Sequence, residues 1–276
     1  MTPTSHDPKN RPATAPSWNA ADYAANSTVQ QAWARELIAG LKLRGGERIL
    51  DVGCGDGKVT AEIARAVPRG ATVGVDASAE MIRFARKQFP ASKISNLKFE
   101  IADARKFRFV APFDLLFSNA ALHWVDDHQA FLRRAAAALK PGGRLVVSCG
   151  GKGNAHDVFL ALRPEMRLAR WRQFFRRMPA PYFFHAPEDY EKWLPRFGFQ
   201  TRSIKLAPKA ATYAGAEGFA TWLRTTWLPY TQRVPENLRE EFIAAVTARY
   251  LAKHPADKAG QVHVRMVRLE IDAVKI

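Results

Sequence analysis

The sequence has little cysteine, no long apolar run and few acidic residues relative to basic ones. Its two cysteines, Cys54 and Cys149, are too few for a disulfide framework and favour a reducing compartment. No apolar run approaches the roughly 18 residues that a bilayer-spanning helix needs. The first residues, MTPTSHDPKNRPATAPSW, lack a hydrophobic core segment, so we expect no secretory signal there. The sequence therefore predicts a cytoplasmic protein without a membrane span.

Basic residues outnumber acidic ones, with 42 Lys and Arg against 26 Asp and Glu and a formal net charge of +16. Such a charge suits nucleic acid, an acidic membrane surface or an anionic substrate, and it is equally compatible with simple solubility. The densest basic cluster, residues 169–178 (ARWRQFFRRM), alternates arginines with aromatic residues. We therefore expect a helix with a solvated basic face there rather than an RNA-binding arm.

The chain divides into four segments by pattern. Residues 1–17 are rich in Pro, Thr and Ser and predict a disordered tail. In residues 18–150, short apolar runs alternate with helical patterns five times, which predicts a parallel sheet covered on both faces by right-handed crossovers. Residues 151–261 predict a mainly helical substrate lid that includes one core strand at about 199–206, and residues 262–276 predict the last strand of the sheet.

The segment LDVGCGDG, residues 50–57, joins the first predicted strand to the following helix. Its glycines, Gly53, Gly55 and Gly57, are spaced G-x-G-x-G rather than the G-x-G-x-x-G of the dinucleotide fingerprint. Asp51, at the end of the strand, would repel a pyrophosphate but suits a ligand that carries an ammonium group and a sulfonium. Glycine turns also join strands to helices in many α/β proteins, so the turn alone does not identify the ligand.

Polar residues end four successive predicted strands: Asp51, Asp76, Asp103 and Asn119. The carboxyl ends of parallel strands form the ligand crevice near the switch point of the sheet. Asp76 is placed to accept hydrogen bonds from two ribose hydroxyls, and Asp103 suits an adenine amino group. Met81 could pack on the ring face, although packing within its own helix is equally compatible with its position.

Four segments in order, LDVGCGDG, VGVDAS, IADA and LKPGGRLVVS, resemble class I S-adenosylmethionine-dependent methyltransferases over residues 28–150. The resemblance implies an α/β fold, a Rossmann-like seven-stranded, mostly parallel sheet with helices on both faces and a helical lid from insertions. It implies S-adenosyl-L-methionine as the cofactor and S-adenosyl-L-homocysteine as its product. The cofactor-binding residues predicted on this basis are Asp51, Gly53, Gly55, Asp76, Ala77, Met81, Asp103, Ala104, Asn119 and Gln30.

Three further segments, WNAADYAANSTVQQAWARELI, SNAALHWVDD and TWLRTTWLPY, resemble the trans-aconitate methyltransferase group, which methylates carboxylates. The malonyl-carrier-protein methyltransferase of biotin synthesis is a relative of that group. Its members place a Trp after the fourth strand near the methyl-transfer site, which matches Trp124 here, with His123 before it. The resemblance implies an enzyme that methylates a small anionic molecule, above all on a carboxylate oxygen.

A carboxylate acceptor needs no general base, because its pKa near 4 leaves it ionised at neutral pH. It needs a group that aims it at the methyl carbon, and Arg224 is the predicted candidate. A phenol or amine acceptor would need a base, for which His123 and His156 are candidates because both follow predicted strands. The residues predicted to line the acceptor site are Trp124, Trp222, Trp227, Tyr230 and His156, with core packing as the alternative for the tryptophans.

Other functions remain open at the level of sequence. We find no Cys/His cluster with metal-ligand spacing and predict no metal site. DNA amino-methyltransferases of this fold usually carry an N/D/S-P-P-Y/F/W run after the fourth strand, where this chain has SNAALHW. No appended RNA-binding module is recognisable, yet the net charge keeps an RNA substrate possible, and a non-catalytic S-adenosylmethionine-binding protein is a further alternative. The acceptor and the oligomeric state are not predicted.

Overall fold

The computed structural model describes residues 28–276, without the side chains of residues 28–30 and 32. The tail predicted at residues 1–17 lies outside the described residues. The strands are β1 (Arg48–Val52), β2 (Ala71–Asp76), β3 (Leu97–Ile101), β4 (Phe113–Asn119), β5 (Leu139–Gly150), β6 (Phe199–Ala214) and β7 (Gln261–Lys275). The helices are α1 (Thr28–Leu41), α2 (Lys58–Ala66), α3 (Ala79–Gln88), α4 (His128–Ala138), α5 (His156–Arg167), α6 (Pro187–Arg196), α7 (Gly215–Thr226), α8 (Leu228–Thr231) and α9 (Glu236–Leu251).

The seven strands form one sheet in the order β3-β2-β1-β4-β5-β7-β6. Strands β1 to β5 pair in parallel, whereas β7 runs antiparallel to both β5 and β6. The predicted α/β fold with a seven-stranded, mostly parallel sheet is therefore confirmed. The chain proceeds from β1 outward to β3 and then returns to β4 on the other side of β1. This reversal makes the β1–β4 edge the switch point, where α/β sheets bind ligands.

Both faces of the sheet are covered because neighbouring residues of its central strands enter different apolar clusters. In β1, Leu50 packs with Phe131 of α4, whereas the adjacent Ile49 packs with Ile63 of α2. Strand side chains alternate between faces, so these two clusters lie on opposite sides of the sheet. The continuous apolar runs of the central strands are the direct consequence of this two-sided burial.

A separate aromatic core lies in the segment after β5. Buried residues of α5, α7, α8 and α9, among them Phe219 and Phe242, pack there against the ends of β6 and β7 together with Trp227 between α7 and α8. Helix α5 starts at His156 and a short 3₁₀ turn covers Arg172–Phe175. We call this layer of helices the cap. None of the helices within residues 28–276 is long and apolar enough to cross a bilayer.

Three details of this half differ from the sequence-based expectation. Residues 169–178, expected to form a helix with a solvated basic face, contain only the short 3₁₀ turn Arg172–Phe175. Residues 178–186, predicted as part of a mainly helical stretch, contain no helix, because Pro179 and Pro181 disfavour helical backbone around them. The strand predicted at about 199–206 continues to Ala214, where it still pairs with β7. Pro208 is tolerated in this strand because β6 is the edge of the sheet.

Candidate active site

The turn between β1 and α2 requires all three of its glycines. Their φ angles are 80° at Gly53, 52° at Gly55 and 81° at Gly57, in the left-handed region that favours glycine. A Cβ atom on Gly53 would lie 2.1 Å from the Cβ atom of Ala121, in the loop after β4. A Cβ atom on Gly57 would lie 2.7 Å from the ring of Phe99. The turn can therefore lie directly against the neighbouring loop and sheet.

A cavity of about 600 Å³ opens at the carboxyl ends of β1, β2, β3 and β4. We call it the cofactor cavity. It is lined by nine of the residues predicted from sequence to bind the cofactor: Asp51, Gly53, Gly55, Asp76, Ala77, Met81, Asp103, Ala104 and Asn119. The tenth, Gln30, belongs to α1, but its side chain lies outside the described residues. The neighbouring Gln31 does line the cavity.

Asp51 is a buried carboxyl at the floor of the cofactor cavity, only 2% exposed. It accepts a hydrogen bond from the Thr60 hydroxyl over 2.7 Å. Burial raises the pKa of Asp51 to about 7, an effect that the Thr60 bond opposes and the nearby Asp76 carboxylate reinforces. A cationic ligand group at this position would favour the ionised form and lower that pKa again.

The Asp76 carboxylate is held by two backbone N–H groups in the wall of the cofactor cavity. It accepts from Gly55 N over 3.0 Å and from Ser78 N over 2.8 Å. Burial raises its pKa, and these two hydrogen bonds act in the opposite direction. A carboxylate has about four acceptor positions, so two remain for a ligand with hydroxyl donors.

Asp103 belongs to an ion-paired group at the end of β3. Arg105 contacts the Asp103 carboxylate and the Asp126 carboxylate, each over 2.6 Å. The Arg105 guanidinium lowers the pKa of Asp103, chiefly through a side-chain hydrogen bond. Asp126 lies in the loop after β4, whereas Asp103 and Arg105 lie in the loop after β3. Arg105 therefore links these two loops at the wall of the cofactor cavity.

Asn119 ends β4 and is linked to the last strand through Arg268. The Arg268 Nη2 atom donates to Asn119 Oδ1 over 2.8 Å and to the Ser148 backbone carbonyl over 2.6 Å. Its Nε atom donates to the Ser148 hydroxyl over 3.0 Å. The guanidinium also lies 5.4 Å from the ring centroid of Trp33. Arg268 is thus a buried cation, 4% exposed, with its fork fixed in one orientation.

His123 and Trp124 lie in a 3₁₀ turn, Leu122–Trp124, directly after β4. The Gly150 N–H donates to His123 Nδ1 over 3.3 Å, which assigns the ring proton to Nε2. Burial lowers the pKa of His123 to about 3, and the Arg268 charge lowers it further. His123 is therefore neutral at physiological pH and too weak a base for a phenol or an amine.

A second cavity, of about 80 Å³, lies between this turn and the cap. We call it the acceptor cavity. Ala120 and Trp124 line both cavities, so the two adjoin at the end of β4. Arg268, His123 and six aromatic residues contribute to its wall, the aromatics being Trp33, Trp124, Tyr182, Phe184, Trp222 and Trp227.

Three predicted site residues are not brought to either cavity. Arg224 makes hydrogen bonds to Glu240 over 2.8 and 2.6 Å, which corrects its prediction as the group that aims the acceptor. The reason is helical geometry: Arg224 follows the cavity-lining Trp222 by two positions, which is about 200° around α7. His156 is exposed at the start of α5, and Tyr230 packs within the cap, 5.7 Å from the ring of Trp227.

Arg268 is the main site residue that sequence analysis missed. The sequence did carry a signal for it, because Val262, Val264 and Met266 are buried at alternate positions of β7 and Arg268 is next in that series. A strand with this period turns every second side chain to the same face. The alternation of β7 therefore predicts that Arg268 faces inward.

Comparison with known proteins gives a consistent result. A family model described as a methyltransferase domain matches residues 49–143. The trans-aconitate 2-methyltransferase of Methylobacterium nodulans is 30% identical over 257 residues, covering 91% of this chain and 96% of that protein. The enzyme of the same name from Deinococcus radiodurans is 29% identical, with the same coverage of 91% and 96%.

The chain belongs to the trans-aconitate 2-methyltransferase family. It is an S-adenosylmethionine-dependent methyltransferase, as the resemblance implied. Among solved structures, phosphoethanolamine N-methyltransferase 2 of Haemonchus contortus, in complex with S-adenosylhomocysteine, has a TM-score of 0.59. That structure is 18% identical, covers 93% of this chain and 56% of the other, and shows the likeness of fold.

The cofactor cavity of this methyltransferase fits S-adenosylmethionine by its donor and acceptor set. Asp51, whose buried carboxyl is protonated more readily than usual, suits a cationic group in place of a proton. Asp76 offers fixed carboxylate oxygens for hydroxyl donors, and the glycine turn leaves its backbone open to a ligand. Met81 supplies a buried apolar side chain at the same wall.

Proposed function

We propose that this methyltransferase transfers the methyl group to a carboxylate oxygen of a small anionic molecule and forms a methyl ester. The observation that supports this most strongly is the position of Arg268, a buried guanidinium in the wall of the acceptor cavity. Trp124 lines both cavities beside it. The relatives named trans-aconitate 2-methyltransferase support an acid as acceptor.

In this proposal the acidic residues of the cofactor cavity hold S-adenosylmethionine. Asp51 faces its ammonium group, Asp76 accepts from its ribose hydroxyls, and Asp103 with Ala104 lies by its adenine. The cofactor supplies the activated methyl group when bound. The protein's own contribution is to hold the acceptor oxygen in line with that group, which can supply roughly 7–11 kcal/mol of the barrier reduction.

Arg268 is assigned to bind the acceptor carboxylate. An arginine is always charged and presents its donors in a planar fork that matches a carboxylate. Its hydrogen bonds to Ser148 and Asn119 fix the guanidinium before the acceptor arrives, which lowers the entropy lost on binding. The acceptor carboxylate, ionised at neutral pH, needs no proton removed.

Trp124 and His123 are assigned to orient the acceptor rather than to move a proton. The Trp124 indole N–H is a donor, and the neutral His123 carries its proton on Nε2. Both residues line the acceptor cavity. The low pKa of His123 is the reason that we prefer a carboxylate to an acceptor that would require a histidine base.

The segment at residues 151–261 is proposed to act as the lid. Trp222 and Trp227 of the cap and Tyr182 of the segment before α6 close the acceptor cavity with apolar surface. Excluding water there would strengthen the contact between a carboxylate and Arg268. Cys54 and Cys149 are both buried free thiols, which fits our assignment of the enzyme to the cytoplasm.

The experiment is a transfer assay with methyl-labelled S-adenosylmethionine and three panels of small acceptors: carboxylic acids, phenols and amines. We expect label to enter acids only. Calorimetry with the unlabelled cofactor, run in parallel, establishes that the protein is folded and binds it. Binding together with transfer to phenols or amines but to no acid would overturn the proposal, and binding without any transfer would favour a sensor.

A further inference from the structure

Thr60 places a buried hydroxyl on a face of α2 that is otherwise apolar. The residues buried with it on this helix are Ala61, Ile63 and Ala64, and Thr60 itself is 0% exposed. Burying a hydroxyl is unfavourable unless it forms a hydrogen bond. Thr60 forms this bond by donating to Asp51 Oδ2 over 2.7 Å, so its hydroxyl is directed at the floor of the cofactor cavity.

The bond fixes the orientation of the Asp51 carboxyl group. Asp51 lines the cofactor cavity, and its Oδ2 atom is directed at Thr60 behind the cavity floor. A carboxylate has about four acceptor positions, so those on Oδ1 can receive the N–H donors of a ligand. The hydrogen bond therefore leaves one oxygen of Asp51 for the ligand and holds the other against α2.

The same bond favours a negative charge on Asp51. Burial raises the pKa of Asp51 to about 7, the Thr60 hydrogen bond lowers it, and the Asp76 carboxylate on β2 raises it. On the other side of β1, the register partner of Asp51 in β4 is the uncharged Phe117. Thr60 thus opposes both the burial of Asp51 and the charge of its acidic neighbour.

Other titratable groups near Asp51 lie in the turn between β1 and α2. Burial raises the pKa of the Cys54 thiol well above its usual value, so this thiol is neutral at physiological pH. Asp56 contacts Lys58 over 3.3 Å. A substitution at position 60 leaves all of these side chains in place, so a comparison with wild type isolates the contribution of the Thr60 hydroxyl.

We propose that Thr60 is a positioning residue of the cofactor site, whose hydroxyl keeps the Asp51 carboxylate ionised and turned toward the ammonium group of S-adenosylmethionine. This rests on the proposed function, because it adds a support to the contact that is assigned there to Asp51. Thr60 acts through Asp51, since its own side chain is buried behind the cavity floor.

The test compares Thr60→Val with wild type by calorimetric titration of S-adenosyl-L-homocysteine at several pH values. Valine keeps the branched shape and removes the hydroxyl. The pH at which Asp51 ionises should then rise by about one unit, the equivalent of one hydrogen bond to a charged group. The ratio of wild-type to variant affinity should therefore increase from near one at about pH 8.5, where both carboxyls are ionised, to about tenfold at about pH 6.

Two controls distinguish this effect from a general disturbance of the site. Thr60→Ser keeps a hydroxyl and should restore the wild-type pH profile. Methylthioadenosine lacks the ammonium and carboxylate groups of the methionine part, so its affinity should be the same in wild type and Thr60→Val at each pH. A loss of affinity in Thr60→Val that is equal at each pH and for both ligands would indicate a packing defect and overturn the inference.

Asp51→Asn, titrated in the same way, separates this inference from the assignment on which it rests. If Asp51→Asn weakens binding and Thr60→Val keeps the wild-type pH profile, the role of Thr60 is wrong while the Asp51 contact stands. If Asp51→Asn binds S-adenosyl-L-homocysteine as tightly as wild type throughout, the Asp51 contact fails and the inference with it. Neither result alters carboxyl methylation, which the transfer assay measures independently.

Discussion

Arg268 of β7 donates a hydrogen bond over 2.8 Å to Asn119, the residue that ends β4. The bond joins the last strand of the chain to the switch point of the sheet, where the two cavities meet. It holds a buried cation near Trp124 in the wall of the acceptor cavity. The antiparallel strand β7 therefore contributes a residue directly to the acceptor site. This arrangement and the carboxylates of the cofactor cavity determine what each substitution should change.

Replacing Arg268 should weaken acceptor binding and leave cofactor binding nearly intact. Arg268→Gln removes the charge that pairs with the acceptor carboxylate, and we expect KM to rise by about 100-fold, equivalent to about 3 kcal/mol for a charged hydrogen bond. Arg268→Lys keeps the charge but not the planar fork of donors, so its KM should lie between that of the wild type and that of Arg268→Gln. Steady-state kinetics measures the change, and calorimetry measures cofactor affinity.

Arg224→Gln is the matched control for Arg268. Arg224 is a partly exposed arginine that pairs with Glu240 outside both cavities, so its loss should change stability by no more than about 1 kcal/mol and leave KM unaltered. A rise in KM in Arg224→Gln as large as that in Arg268→Gln would show that the acceptor contacts Arg224 of α7.

Asp76→Ala should weaken S-adenosylmethionine binding. The substitution removes a carboxylate proposed to accept two ribose hydrogen bonds, worth about 2–4 kcal/mol together, or roughly 30- to 1000-fold in affinity. Calorimetric titration of the cofactor measures the loss, and Glu191→Ala on the exposed surface of α6 serves as the control. Unchanged affinity in Asp76→Ala would defeat the ribose assignment.

Cofactor affinity should depend on pH through Asp51. Its pKa of about 7 in the ligand-free protein means that the carboxyl is increasingly protonated below pH 7, when it no longer attracts a cation. Affinity should therefore fall by up to about tenfold per pH unit as the pH decreases from 7 to 5.5. Asp51→Asn should bind weakly and lose this part of the dependence, which titrations at several pH values can measure.

The same carboxyl should make the ligand-free enzyme less stable at higher pH. An aspartate in the unfolded chain has a pKa near 3.9, so between about pH 4 and 7 the folded protein holds the proton more tightly. This contribution to stability is present below pH 4 and is lost as pH rises to 7, by up to about 1.4 kcal/mol per unit. Chemical denaturation at pH 8 should find Asp51→Asn more stable than wild type; equal stability would show that Asp51 carries no burial cost.

His123 should not act as a general base. With a pKa of about 3 it is already deprotonated throughout the physiological range, so the rate profile should show no inflection that disappears in His123→Gln. We expect His123→Gln to retain kcat within about tenfold, since Gln keeps a donor at that position. An inflection near pH 6 to 7 that is lost in this variant would restore the base mechanism.

Much of the fold could be predicted because the central strands are buried on both faces and must read as apolar runs. The polar residues at the ends of those strands, such as Asp51 and Asp76, could also be predicted. The carboxyl ends of parallel strands line the ligand crevice, so a charged residue that ends an apolar run is expected there. The acceptor side was harder, because its residues come from distant segments. Arg268 and Trp33 are far apart in the sequence, and the order of the strands in the sheet brings them into contact. The aromatic sequence of α7, taken alone, suggested Arg224 instead.

Carboxyl methylation is tested most directly by the chemical stability of the labelled product. A methyl ester is cleaved by mild alkali, which releases the label as volatile methanol, whereas methyl groups on a phenol oxygen, nitrogen or carbon resist the same treatment. We predict that label transferred to an acid acceptor by the wild-type enzyme is released completely. Label that stays bound to the product after alkali would contradict the account.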